Sequence, residues 1–151
     1  MREIALHMAD IAENSLAAGA ARIKLSVMID RAADRLTTAV EDNGRGMDAD
    51  TLYRCTDPFM TTRTARRVGL GLALFKLSAE QSGGSFTIRS EQGRGTRAEA
   101  AYIISGIDRA PLGSIAETMA ALIAANPETD FTLEYAADGK AFAFATDTIP
   151  Y

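Results

Sequence analysis

The eight residues EDNGRGMD, Glu41 to Asp48, constrain this chain more than any other stretch, because a carboxylate and an asparagine run directly into two glycines one residue apart. Glycines crowded behind a strand mark a point where the backbone must approach something closely. The residues before them define that strand. ARIKLSVMID alternates Ile23, Leu25, Val27 and Ile29 with polar partners, and DRLTTAVEDN repeats the alternation through Leu36, Thr38 and Val40. The short link RAAD between the two predicts an antiparallel pair.

The other elements come from the same periodicities. Residues from about Glu3 to Ala17 place Ile4, Met8, Ile11, Ser15 and Ala18 on one helical stripe, with Gly19 as a stop. The run from about Cys55 to Val68 holds Pro58 and several basic residues and threonines without a sustained period, which predicts a loop. GLGLALFKLSAEQSGG carries Leu72, Phe75, Lys76 and Ala79 at helical spacing, so a second long helix is expected to begin at Gly69. SFTIRSEQ and GTRAEAAYII alternate again around a GRG turn. From Ser105 onward the pattern changes: Pro111, then Ser114 as an N-cap with Glu117 three residues on, opens a third helix, and two strands flank an Asp138-Gly139 turn. Residues 1–104 are expected to form the main domain, and residues 105–151 an α-β-β appendage packed on it or used to meet a partner.

Composition narrows the function. With 151 residues, 47% apolar and 24% charged, the chain can bury a full core. A net charge of -4 argues against a broad grip on nucleic acid, which would want a basic domain. Cys55 is the single cysteine, so no internal disulfide framework forms and no thiol metal site is expected. No apolar stretch reaches the about 18 residues of a membrane span, and no secretory leader is legible at the N-terminus. A cytoplasmic protein with no membrane partner is expected.

Asp10 and Asn14 are i and i+4 on the first helix, so they project from one side. An asparagine oxygen suits Mg²⁺, and a carboxylate one turn away can orient or deprotonate a water. Asp42, at a strand end backed by Gly44 and Gly46, can accept a hydrogen bond from the exocyclic amino group of a flat ring such as adenine. Gly44, Gly46 and Ala49 also satisfy a relaxed dinucleotide-binding pattern. That reading fails on context: the preceding strands look antiparallel, a loop comes next, and Asp42 and Asp48 would sit beside a pyrophosphate. Gly69 and Gly71 at a helix start would offer N–H groups to an anion, and the preceding loop supplies Arg63, Arg66 and Arg67. No P-loop motif is present.

DIAENSLAAGA, EDNGRGMD, DPFMTTR, GLGLAL and GRGT, in this order within residues 7–103, resemble the N box, first G box, F box, second G box and closing G-x-G-T of the GHKL superfamily. This is the ATPase fold of gyrase, Hsp90, histidine kinases and MutL. The resemblance implies an α/β (α+β) two-layer sandwich, the Bergerat fold, with helices on one face of a mixed, mainly antiparallel sheet. It implies ATP and Mg²⁺ as cofactors. By motif position Asn14 would coordinate Mg²⁺, Asp42 would take the adenine amino group, and Met47 would pack on the ring, with Gly44 and Gly46 permitting the approach. Thr96 would complete the adenine contact through a water, Gly69, Leu70, Gly71 and Leu72 would meet the phosphates, and Arg63 stands where histidine-kinase lids often carry a basic residue.

Asp10 replaces the catalytic glutamate that the superfamily's hydrolases and serine kinases place four residues before the Mg²⁺ asparagine. It is the preferred base, since Glu13 lies about 100° round the helix, and slow chemistry is expected. The chain starts almost at the N box and so resembles stand-alone anti-sigma serine kinases and histidine-kinase-like regulators. The expected function is an Mg-ATP-dependent regulator that acts on an unidentified partner protein as a weak kinase or a nucleotide-gated switch. The alternatives are a slow ATPase whose lid closure drives association and a non-catalytic nucleotide-binding scaffold. A homodimer is left open, and His7 is expected on a helix face or interface rather than as a phosphoacceptor.

Overall fold

The computed structural model describes residues 2–56 and 66–148. Its first helix, α1 (Ile4–Ala17), buries Ile4, Met8, Ile11 and Ser15, the stripe expected from the spacing. It ends where Gly19 takes a left-handed φ of 77° and the Ala20 amide donates back to the Ser15 carbonyl. Glu3 provides no side-chain cap. Instead the Ile4 and Ala5 amides donate to the carbonyls of Pro111 and Leu112, both at 2.8 Å, so the chain's later half satisfies two orphan donors of α1.

Strands β1 (Arg22–Asp30) and β2 (Arg35–Asp42) form the predicted antiparallel pair. β3 (Ser85–Glu91) and β4 (Gly95–Ile103) form a second hairpin, and β4 pairs with β2. β5 (Asp130–Ala137) lies parallel to β1, and β6 (Lys140–Ala145) folds back on it through Asp138 and Gly139, both at positive φ. The result is one six-stranded mixed sheet of order β3-β4-β2-β1-β5-β6. With α2 (Ala49–Cys55), α3 (Arg66–Gln81) and α4 (Ile115–Ala125), the described residues hold four α-helices, layered on the sheet as a two-layer α+β sandwich.

Register explains which face is covered. Ile23, Leu25 and Val27, Leu36 and Val40, Ala98, Ala100 and Tyr102, and Phe131 and Leu133 share one face and are buried against α1, α3 and α4. Thr38 in that layer donates to the Ala100 carbonyl, and Tyr102 donates to Ser78, so neither hydroxyl is stranded. The opposite face carries ion pairs of Lys24 with Glu41 and Glu134 and of Arg97 with Glu41 and Glu99, half-exposed contacts that add little stability. Cys55 is buried, which pushes its thiol up to about 11.

Two expectations are corrected. The segment after EDNGRGMD is not loop throughout: Asp48 caps α2, its side chain accepting the Thr51 amide at 2.7 Å. α3 starts three residues before Gly69, at Arg66, because arginine and valine there continue a helix better than glycine begins one. His7, expected on a helix face or interface, lies on the face of α1 that packs against α3. It is buried, stacks on Phe75 at 6.0 Å, and its Nδ1 has no hydrogen-bond partner among the described residues.

Burial, reinforced by Arg2 and opposed by Asp10, holds the His7 pKa below its ordinary 6.5. Below 6.5 the unfolded chain therefore binds a proton that the folded chain does not, and stability falls as pH drops toward the lowered folded value. Urea titrations across this range should show that loss in the native chain. His7→Phe, which keeps a ring against Phe75, should show a smaller one, and equal losses would remove the histidine from the effect.

Candidate functional site

β2 ends at Asp42, and three contacts fix the glycine loop after it. The Asn43 side chain accepts the Ala21 and Arg22 amides, both at 2.9 Å, and ties the strand end to the start of β1. The Arg45 amide donates to Ala18 at 3.0 Å and its guanidinium to Ala17, which closes the C-terminus of α1. The Arg45 carbonyl accepts the Gly93 amide from the β3–β4 turn at 2.7 Å. The loop is thus sewn between a helix end and a turn.

Asp42 itself is held from two sides. Its Oδ2 accepts the Ser15 hydroxyl at 2.6 Å and its Oδ1 the Gly44 amide at 2.8 Å. A carboxylate has about four lone-pair sites, so capacity remains for a further donor. Across the sheet, Asp42 pairs with Thr96 and Thr96 with Ser90. Ser90 Oγ accepts the Met47 amide at 2.8 Å and donates to the Gly95 carbonyl at 3.2 Å, and it lies 2.7 Å from Thr96 Oγ1. Either hydroxyl can donate in the Ser90–Thr96 contact; where the Ser90 proton goes to Gly95, Thr96 donates to Ser90 and its own oxygen stays open as an acceptor.

These groups surround a cavity of about 330 Å³ whose lining includes Ile11, Asn14, Ala18, Asp42, Met47, Leu72 and Thr96. The walls are mainly apolar and Asp42 is an acceptor fixed within them, the form of a small-molecule site. A flat ring with an exocyclic amino group fits that donor and acceptor pattern. Gly46 also lines the cavity, but its absent side chain has a different cause. It sits at φ 70°, and a Cβ there would lie 2.0 Å from the Glu91 carbonyl oxygen. Gly95 is similar, since a Cβ would lie 2.0 Å from the carbonyl oxygen of Asp42. A Cβ on Gly44 would crowd Ala18 at 3.0–3.1 Å.

Asn14 and Asp10 do share one helix side: both lie within 4 Å of where a Cβ on Gly71 would be, at 3.5 Å from Asn14 and 3.8 Å from Asp10. Asn14 lines the cavity, whereas Asp10 stands beyond its wall and pairs with Arg2 at 2.9 Å. Glu13 faces the groove between α1 and α4, the opposite side. Among the described residues no cluster of three or more acidic, His or Cys side chains could hold a metal by itself. A magnesium ion here would rest on the Asn14 amide and on the phosphates that bring it, the usual economy for that ion.

On α3, Leu72 is buried against the cavity and Leu70 is 37% exposed on the outer side. Because the helix starts at Arg66, the amides of Gly71 and Leu72 lie inside it rather than at its open N-terminus. Arg63 lies outside the described residues, as do the side chains of Arg66 and Arg67. The buried face of α3 packs on α1, which is what brings Gly71 against the Asn14 turn.

Residues 2–103 match the model of the histidine kinase-, DNA gyrase B-, and HSP90-like ATPase family. The chain belongs to that family. It is 42% identical over 108 residues to the sensor protein kinase FleS of Pseudomonas aeruginosa, covering 72% of this chain and 26% of FleS. It is 34% identical over 89 residues to the alginate biosynthesis sensor protein KinB of the same species, with 58% of this chain and 15% of KinB covered. It is 35% identical over 72 residues to the sensor histidine kinase ZraS of Escherichia coli, with 48% of this chain and 15% of ZraS covered. The chain thus spans about a quarter or less of these relatives. No helix among the described residues is long and apolar enough to cross a membrane.

Sequence reasoning misses Ser15 and Ser90. By spacing Ser15 is one more member of the α1 stripe, yet a hydroxyl at a buried position needs a partner, and that requirement is the available sign. Gly46→Ala should cost roughly 2–3 kcal/mol in denaturant unfolding, from positive-φ strain plus the collision with Glu91. Ser90→Ala should cost about 1 kcal/mol. A Gly46→Ala loss no larger than that of Ser90→Ala would mean that the loop relaxes away from the turn.

Proposed function

We propose that the chain binds Mg-ATP in the Asp42 cavity and acts on a partner protein, as a weak protein kinase or as a switch gated by the nucleotide. The observation that carries this reading is the Asp42 carboxylate, fixed by Ser15 and Gly44 inside an apolar-lined cavity with acceptor capacity to spare. The adenine amino group would donate to Asp42, Met47 would pack on the ring, and Thr96 would accept through a water. Asn14 would hold Mg²⁺. The bound ion supplies charge neutralisation at the phosphates, and the protein's share is to place them.

Gly71 supports the phosphate end. A glycine inside a helix costs about 1 kcal/mol relative to alanine. At position 71 a Cβ would meet nothing closer than 3.5 Å, and φ is not positive, so folding does not demand the glycine. It stands beside Asn14 and Asp10, where the phosphates would lie and a side chain would intrude on them. Asp10 is the proposed base, one turn from Asn14, and release from Arg2 would precede its use. That the similar proteins are named sensor kinases favours phosphoryl transfer to protein over hydrolysis.

Mg-ATP should raise the melting temperature, and no shift at saturating nucleotide would remove the reading. Asp42→Asn should weaken ATP binding by about 1.5–3 kcal/mol, roughly tenfold to a hundredfold. Gly71→Ala should stabilise the free protein by about 0.5–1 kcal/mol while weakening nucleotide binding, so unchanged affinity would return Gly71 to a packing role. With γ-labelled ATP, label on a partner protein supports the kinase, free phosphate the slow ATPase, and neither the scaffold or switch. Asp10→Asn should spare binding and lower any transfer that is seen.

A further inference from the structure

The sheet has two edges, and they differ in kind. β3 presents Ser85, Thr87, Arg89 and Glu91 along its exposed positions, a charged edge that discourages pairing. β6 reads KAFAFA, with no charge after Lys140, no proline and an unbroken register against β5. Its first four residues are exposed, and Phe142 is 59% exposed. No helix of the described residues covers it. On the outer face the apolar surface continues from Ala141 and Ala143 over Ala136 to Met28, which is also 59% exposed.

The hydrogen bonds of β5 set the direction of the free backbone groups. The Asp138 amide donates to Ile29 on β1, and the Phe131 amide to the Thr146 hydroxyl on the β6 side. Odd-numbered residues of β5 therefore face β6. Since Tyr135 pairs with Phe142 and Leu133 with Phe144, the even-numbered residues of β6 face β5, and the N–H and C=O of Ala141 and Ala143 point outward.

The strand is also a palindrome, AFAFA centred on Ala143. We propose that β6 is the dimer edge of this protein, where it pairs antiparallel with β6 of a second copy about a twofold axis through Ala143. In this register the outward groups of Ala143 meet those of its own copy as a hydrogen-bonded pair. Phe142 then lies opposite Phe144 of the second copy as a non-hydrogen-bonded pair, the kind with the closer side chains. The four phenylalanines share the helix-side face and the alanines share the other. Lys140 falls opposite Thr146, so twofold pairing creates no like-charge contact. The interface is isologous and closes at two copies, which leaves only the charged β3 edges free on a twelve-stranded sheet.

Pairing through β6 is independent of nucleotide binding and is tested on the whole chain. Sedimentation velocity over a wide concentration range should show a monomer–dimer equilibrium. Ala143→Pro removes only an outward N–H, so it should keep the circular dichroism spectrum and raise the dimer dissociation constant by about tenfold or more. Phe142→Lys should do the same. Ala143→Cys should form a disulfide-linked dimer under mild oxidation, because paired Cα atoms of this kind lie about 5.5 Å apart, whereas Thr87→Cys on the other edge should not. A chain that is monomeric throughout, or a dimer that survives Ala143→Pro and shows no cross-link in the Ala143→Cys variant, overturns the proposal. Should Ala143→Pro unfold, the cross-link comparison decides it.

Discussion

The hydrogen bond from Ser15 to Asp42 is the contact on which the candidate site depends. At 2.6 Å it joins a neutral hydroxyl to a carboxylate, the stronger class of hydrogen bond, and it spans 27 residues between helix and sheet. Asn14 is the next residue on the same helix. Fixing Ser15 therefore fixes, within one peptide unit, where the Asn14 amide stands relative to the Asp42 carboxylate. Two groups that would hold opposite ends of a ligand are set by a single tie rather than by two independent loops, which is how a site on rigid elements gains precision.

That tie is useful only if α1 cannot slide, and the structure restrains it at both ends. At the N-terminus its first amides bond Pro111 and Leu112. At the C-terminus Arg45 occupies the Ala17 and Ala18 carbonyls. The residues after β4 thus do more than extend the sheet. β5 adds itself to β1, α4 packs on α1, and the linker between β4 and α4 caps the helix that carries Asp10, Asn14 and Ser15. A load on this C-terminal segment would be felt at the site through α1, a rigid element common to both.

The hairpins and helix faces are legible in the sequence because each obeys one period over enough residues to exclude the other. Ile23 to Ile29 and Leu36 to Val40 alternate cleanly, and their register then dictates which face is buried. The boundaries near the site are not legible. α2 is only seven residues long, with Cys55 as its one buried residue, so no stripe announces it, and Asp48, its N-cap, is shared with the glycine motif. Glycine usually punctuates a helix, but Gly69 and Gly71 are interior residues of α3, so spacing misplaces its start. Asn43 stands in a run that looks ligand-facing, and its side chain is consumed by the backbone of β1. Local pattern carries no information about such distant partners.

The glycines show why residue type alone does not separate folding from function. Gly46 and Gly95 are required by the protein itself, since a Cβ at either would overlap a neighbouring carbonyl, and the two collisions interlock the ends of β2 and the β3–β4 turn. The spacing of Gly44 and Gly46 behind Asp42 suggests a ring sliding over bare backbone. The bareness is instead what lets the strand end and the turn close on each other, and the cavity is a consequence of that closure. Gly71 has neither a collision nor a left-handed φ to account for it, although helix propensity disfavours it. Among Gly44, Gly46 and Gly71, the one that folding does not need is the one beside Asn14 and Asp10. Function is best sought where a residue is costly to the fold and nothing in the fold explains it.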